Sequence, residues 1–289
     1  EVDSHYNFRS SFFRLSPSIA LRVAPNAQHT HLTQWWKYRW VNIHQHYGHG
    51  INYDLKDFDY QSRQYSVQEL SYQIRSDYVL RPYSASANVQ LGEGFVRLNA
   101  KYEQHFTRKS RMGGTWIRGF AGWLPHQDKP KANVLFTLNG LSSYGYYATD
   151  YMYDQWLGGR NAESGFFARQ VFEKDAFLKT LATNGISDEW MIGGGVRTAL
   201  PLSFIHLYMD AAFYPSGITE KTELSYSGGI AFVGLKDFFE IYIPILESKN
   251  IRESLSYEVR DIWHKRISFQ ANFRFVNPVD LVDRLQFGY

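Results

Sequence analysis

ISFQANFRFVNP, residues 267 to 278, decides how this chain is to be read. Ile267, Phe269, Ala271, Phe273 and Phe275 fall on one parity; Ser268, Gln270, Asn272 and Arg274 fall on the other. Successive side chains of an extended strand point to opposite faces, so this segment has one apolar and one polar face. An apolar face turned toward a core makes a soluble β protein. Turned toward hydrocarbon, it makes a membrane wall.

The pattern recurs along the chain. Ala85, Ala87, Val89 and Leu91 alternate with Ser84, Ser86, Asn88 and Gln90. After the turn GEG (92–94), Val96, Leu98, Ala100 and Tyr102 alternate with Arg97, Asn99, Lys101 and Glu103. Ile205, Leu207, Met209, Ala211 and Phe213 oppose His206, Tyr208, Asp210 and Ala212. Leu224, Tyr226, Gly228, Ile230 and Phe232 oppose Ser225, Ser227, Gly229 and Ala231; Phe239, Ile241, Ile243 and Ile245 oppose Phe238, Glu240, Tyr242 and Pro244. Weaker runs lie near 6–24, 32–46, 65–79, 114–124, 133–142, 165–172 and 189–200. Helical periodicity is confined to PVDLVDRL (278–285), where Val279, Val282 and Leu285 share a face, Pro278 suits the first turn and Asn277 the cap. Pro244 removes a ladder hydrogen bond and belongs at an edge or bulge. The stretch 143–187 does not phase as strand or loop. Nothing marks a linker, so residues 1–289 read as a single β domain.

Composition narrows the classes. Aromatic residues make up 17% of the chain, with 21 Tyr, 21 Phe and 8 Trp, a weighting that favours boundaries between wet and dry surroundings. A net charge of +3 without a basic stripe gives no case for nucleic acid. The absence of cysteine removes disulfides and thiolate metal sites. No apolar run approaches the roughly 20 residues of a transmembrane helix, which leaves a barrel open because its strands alternate. With neither an initiating Met nor a signal segment, the chain is expected to begin after processing or inside a longer polypeptide.

Alternation alone does not choose between a barrel and a sandwich. Three observations favour the barrel. Arg97, Lys101, Glu103, Asp210, Glu240 and Arg274 load the polar parity, as a hydrated lumen permits. Strand ends are rich in Trp and Tyr (Trp35, Trp36, Tyr38, Trp40, Trp116, Trp123, Trp190, Tyr208, Tyr214, Tyr242, Trp263), as in the aromatic girdles of membrane barrels. Connections alternate in length: short at LPLS (200–203) and GLKD (234–237), longer at 172–188, 215–222 and 247–261, which puts the short ones at the periplasm. On that phase the last strand, 262–275, leaves the terminal helix at the periplasm. The opposing reading is a soluble sandwich that pairs two such apolar faces.

The last hundred residues carry a resemblance. MIGGGVRTALPLSFIHLYMDAAFYP (191–215), YSGGIAFVGLKDFFEIYIPILES (226–248) and RISFQANFRFVNPVDLV (266–282) resemble the C-terminal outer-membrane β-barrel region of Bacteroidota-type aminopeptidase-N-like zinc metallopeptidase outer-membrane proteins. RLSPSIALRV (14–23) and YDQWLGGRNAESGFFARQ (153–170) are similar to it more loosely. The resemblance implies a barrel attached to an upstream peptidase-like domain. It does not transfer catalysis, because the H-E-x-x-H that such peptidases need is missing from this chain.

His5, His29, His31, His44, His46 and His49 cluster early, and His29/His31 and His44/His46 at i, i+2 share a strand face, as a metal pair would; no carboxylate recurs beside them. His264, Ser268 and Asn272 share a parity as a lipolytic site would require, but four strand residues span about 13 Å, too far for hydrogen bonding. Cross-strand partners for such a site include His206 and Asp210. RKSR (108–111) reads first as a solvated loop; at a membrane surface it would suit lipid phosphate or lipopolysaccharide. GGG (193–195) lies inside a strand pattern, where glycine permits bending or close backbone approach.

The expectation is therefore an all-β, antiparallel transmembrane barrel of about 12 strands (12–14), with a short periplasmic C-terminal helix, in a bacterial outer membrane. It would anchor or display an associated peptidase-like domain or complex, with no catalytic, metal or cofactor site of its own. Its partners would be membrane lipid, lipopolysaccharide and the upstream domain. A solute pore and a lipolytic barrel are the alternatives.

Overall fold

The alternating segments pair into a single antiparallel wall. The computed structural model describes residues 9–23, 31–49, 59–108, 110–128, 134–141, 151–154, 166–182, 185–202, 204–217, 219–234, 239–255 and 257–271. β1 (Arg9–Leu15) and β2 (Ser18–Val23) both pair with β3 (Leu32–His49), forming one lane broken at Ser16–Pro17. Pro17 lacks an amide hydrogen, and its carbonyl accepts from the Trp40 amide at 3.1 Å. β4 (Asp59–Ser76), β5 (Tyr83–Gly92), β6 (Phe95–Arg108) and β7 (Ser110–Gln127) follow as sequential neighbours. An insert spanning 128–189 comes next. It carries four two-residue strands, of which β8 (Phe136–Thr137) pairs with β11 (Ile186–Ser187) and β9 (Gly140–Leu141) with β10 (Val171–Phe172). The wall resumes with β12 (Trp190–Ala199) paired directly to β7, then β13 (Ile205–Pro215), β14 (Thr222–Val233), β15 (Phe239–Glu247) and β16 (Ser268–Ala271). Two short helices, α1 (Lys249–Ser254) and α2 (Tyr257–Asp261), fill the connection from β15 to β16. The described residues make eleven lanes, and no strand pairing joins the first to the last.

Register fixes the two faces. Leu21, Trp36, Tyr72, Ala87, Ala100, Ala121, Ile192, Phe213 and Leu224 stand opposite one another across nine successive lanes. At about 4.8 Å per lane this row alone is about 38 Å wide. Its larger members lie open: Leu21 is 66% exposed, Ile192 55%, Phe213 47% and Leu224 58%. The adjacent row, Ile19, Tyr38, Leu70, Val89, Leu98, Trp123 and Trp190, is apolar too. The apolar parity is thus the uncovered face.

The opposite face is covered by the insert. Phe120, Leu124, Val67, Phe95 and Met191 of the wall bury against Val134, Phe136, Leu138, Tyr151, Ala176 and Leu178 of the insert. A second cluster joins Val171 and Leu181 to Tyr208, Ala231 and Tyr242. The core lies between the wall and the insert. The insert reaches Arg14 in the first lane and Phe269 in the last, so the sheet curves around it.

Several expectations hold: the strands at 83–108, 190–215 and 222–247, the GEG turn, and Pro244 beside a bulge, where Gly229 faces Pro244 but Gly228 faces Leu246. Others need correction. The runs at 133–142 and 165–172 yield two-residue strands inside the insert, where successive residues of the first (Val134, Leu135, Phe136) and Val171 and Phe172 of the second are buried regardless of parity. The last strand begins at Ser268, not 262, since Trp263–Arg266 forms a helical turn. Within the opening segment, Phe269 is only 4% exposed; Phe166 stacks on it at 4.2 Å. Tyr208, Tyr214 and Tyr242 are on the inner parity and buried, so of the Trp and Tyr expected at strand ends the exposed ones are Trp36, Tyr38, Trp40, Trp123 and Trp263. The helix expected at 278–285 lies outside the described residues.

The glycine run is where the insert touches the wall. A Cβ on Gly193 would stand 2.6 Å from the Ala176 Cβ, whereas one on Gly119, of the outer parity, meets nothing within 4 Å. Gly193→Val is expected to cost about 1–3 kcal/mol through overpacking, and Gly119→Val about nothing on that scale, read as thermal unfolding in detergent.

Candidate functional site

The inner face is the candidate site, and its chemistry is a chain of ion pairs between wall and insert. Period-two geometry aims Arg14, Arg39, Glu69, Gln90 and Arg97 inward from the first five lanes. Arg39 reaches Asp154 of the insert at 2.7 Å and Glu69 at 2.9 Å; Arg14 joins the same Asp154. Gln90 donates to Glu69 at 2.6 Å and accepts from the Tyr151 hydroxyl. Arg97 pairs with Asp175, whose second oxygen accepts from the Thr137 amide at 2.9 Å, and its guanidinium lies over the Phe136 ring. Burial pushes the Tyr151 phenol up to about 12, so it stays a neutral donor.

The far lanes repeat the arrangement. Arg118 donates to the carbonyls of Ala176 and Phe177 at 2.6 and 2.8 Å. Lys179 sits between both oxygens of Asp210 at 2.8 and 3.0 Å, with Asp210 1% exposed. Burial pulls the Lys179 ammonium below its ordinary range while Asp210 opposes the fall. Gly195 makes room for this pair, since a Cβ there would overlap the Asp210 carboxylate. Arg197 pairs with Glu240 at 2.7 Å, Tyr242 donates to Glu240 at 2.7 Å, and Arg266 reaches Glu247 at 2.6 Å. Lys101 approaches Glu173 at 3.7 Å, and Glu103 faces that same glutamate.

The polar residues singled out in sequence therefore interlock, though through the insert more than with one another. Arg97, Lys101, Glu103 and Asp210 each meet a residue from 173–179, while Glu240 is held within the wall by Arg197. Arg274 lies outside the described residues. The insert's half of the network, Asp154, Asp175 and Lys179, went unread because 143–187 has no period to assign a face. Its one signal was isolated charges within buried apolar runs.

The lipolytic constellation does not assemble. His264 is exposed on a helical turn; Ser268 is buried, and its hydroxyl donates to the Lys179 carbonyl at 3.4 Å. His206 is 1% exposed and stacks on Trp116 at 5.1 Å, while Asp210 is held by Lys179. Asn272 falls outside the described residues. Among the early histidines, His31 sits at a turn and His44 in β3; His5 and His29 lie outside the described residues, as do the side chains of His46 and His49. Among the described residues no three His, Cys, Asp or Glu side chains gather as metal ligands. Of RKSR, Arg108 ends β6 and Ser110 and Arg111 begin β7, while Lys109 lies outside the described residues; the neighbouring pairing Thr107–Gly114 lies at the same end of the sheet as Thr115–Thr198. No described helix is long and apolar enough to cross a membrane. No protein-family model, curated protein or solved structure matches this chain.

Cutting one partner from a buried ion pair leaves the other charged and unpaired. Lys179→Met is expected to destabilise by about 3–5 kcal/mol. Adding Asp210→Leu should recover much of that loss, in denaturant unfolding followed by tryptophan fluorescence.

Proposed function

We propose that this chain is an outer-membrane β-barrel that anchors or displays an associated domain, with no catalysis of its own. One observation carries the reading: the apolar parity lies bare across the wall while the polar parity is sealed by ion pairs to the insert. A water-soluble β-sheet does the reverse, and contiguous apolar surface of this width is rare on soluble monomers. Hydrocarbon is the solvent that suits it, with Trp36, Tyr38, Trp40 and Trp123 as interfacial rings. The anchored partner is proposed as an upstream peptidase-like domain, on the sequence resemblance alone.

Against a solute pore stands the insert, which packs on the polar face that would line a channel. Against a lipolytic barrel stands the separation of His206, His264 and Ser268 into unrelated contacts.

In planar bilayers the purified chain is expected to insert without steady conductance; stable, ion-selective channels would overturn the anchoring reading. Phe213→Arg is expected to cost about 2–4 kcal/mol when folding is measured in lipid vesicles. Protein that stays folded and dispersed without surfactant would sink the membrane assignment.

A further inference from the structure

Cations on the inner face of the wall are met by acids. Arg14 and Arg39 share Asp154, Arg75 takes Asp77, Arg97 takes Asp175, Lys101 approaches Glu173 and Arg197 takes Glu240. Rings on that face are met by cations: Arg97 lies over Phe136, Arg118 over Phe177 and Arg197 over Trp116. Arg22 of β2 and Lys37 of β3 depart from this. Both are exposed inner-parity residues, and among the described residues no acid meets either. Trp35 stands directly opposite Arg22 on the same face, half-buried, with no cation over its ring among the described residues. Its parity turns it away from the apolar side, so it is no girdle residue.

Register sets the spacing. Arg22 pairs with Trp35 and Ala20 with Lys37, which makes Arg22 and Lys37 diagonal neighbours about 7–8 Å apart. Side chains of that length converge on one acid group. Across β3, Gln73 faces Trp35 and Ser71 faces Lys37. The insert's Asp154 covers the face from the next row, at Arg39, while β2 is exposed on both parities. The patch therefore lies just beyond the sealed rows, open to water.

We propose that Arg22, Lys37, Trp35 and Gln73 bind a sugar that carries an acid group, carboxylate or phosphate. The guanidinium grips the acid as a fork and the ammonium adds a point charge. The indole offers a flat apolar face to the C–H side of the sugar ring. Gln73 and Ser71 both donate and accept, as sugar hydroxyls require. An inorganic anion would leave the indole unused, and a neutral sugar would leave the two charges unused. The site belongs to the polar face, so it does not depend on which solvent lies against the apolar one.

Calorimetric titration of the whole chain with glucuronate and with glucose 6-phosphate tests the site and separates the two acid groups. Glucose, inorganic phosphate and triglutamate are the comparisons. At least one acidic sugar is expected to bind about tenfold tighter than glucose or phosphate. Arg22→Gln with Lys37→Gln should remove that margin and leave the unfolding midpoint where it was, since neither side chain has a partner to lose. Trp35→Leu should weaken the acidic sugar about tenfold and leave inorganic phosphate unchanged, with Trp35→Phe restoring most of the loss. Arg75→Gln, on the same face but held by Asp77, should change nothing. Failure of both acidic sugars to bind overturns the proposal, as does phosphate binding equally well or a margin that survives the Arg22 and Lys37 changes. Tighter binding of triglutamate gives the patch to an acidic peptide and overturns it likewise.

Discussion

A side-chain period of two, held in register from lane to lane, is the constraint on which everything else depends. A slip of one residue in any pairing would turn that strand's apolar set inward and its charges outward. Leu21, Trp36, Tyr72, Ile192, Phe213 and Leu224 align only because eight pairings agree. The same agreement brings Arg39, Arg97, Arg118 and Asp210 onto the other face, where charges exist to be matched.

The insert does the matching. It supplies acids to wall arginines and a lysine to a wall aspartate, so each buried charge meets its complement. Apolar residues between those pairs, from Val134 to Leu178, give the interior a dry core that the polar ring surrounds. Buried ion pairs are poor sources of net stability but harsh on misplacement. Their effect here is to define where the insert sits, and Gly193 and Gly195 remove the side chains that would hold it off.

Much of this was legible in the sequence, and the gaps have physical causes. The strands from Tyr83 to Arg108 and from Trp190 to Glu247 show clean alternation, because each has one bare and one covered face. Residues 134–140 and 175–182 show none, because successive side chains there are all buried and period carries no information. Tyr208, Tyr214 and Tyr242 read as interfacial rings, although their parity already set them with Asp210 and Glu240; residue type was weighed above phase. Asp154, Asp175 and Lys179 are not legible as partners, since pairing across 31 to 140 residues leaves no local trace.

Sequence position of the insert also governs the curvature of the wall. It is synthesised between the sixth and seventh lanes, yet it contacts Arg14 in the first and Phe269 in the last. Two halves of the wall, six lanes and five, flank it and share it as a common template. A segment tethered at both ends, by β7 and by β12, reaches the outermost lanes only if the two halves of the sheet curve toward it.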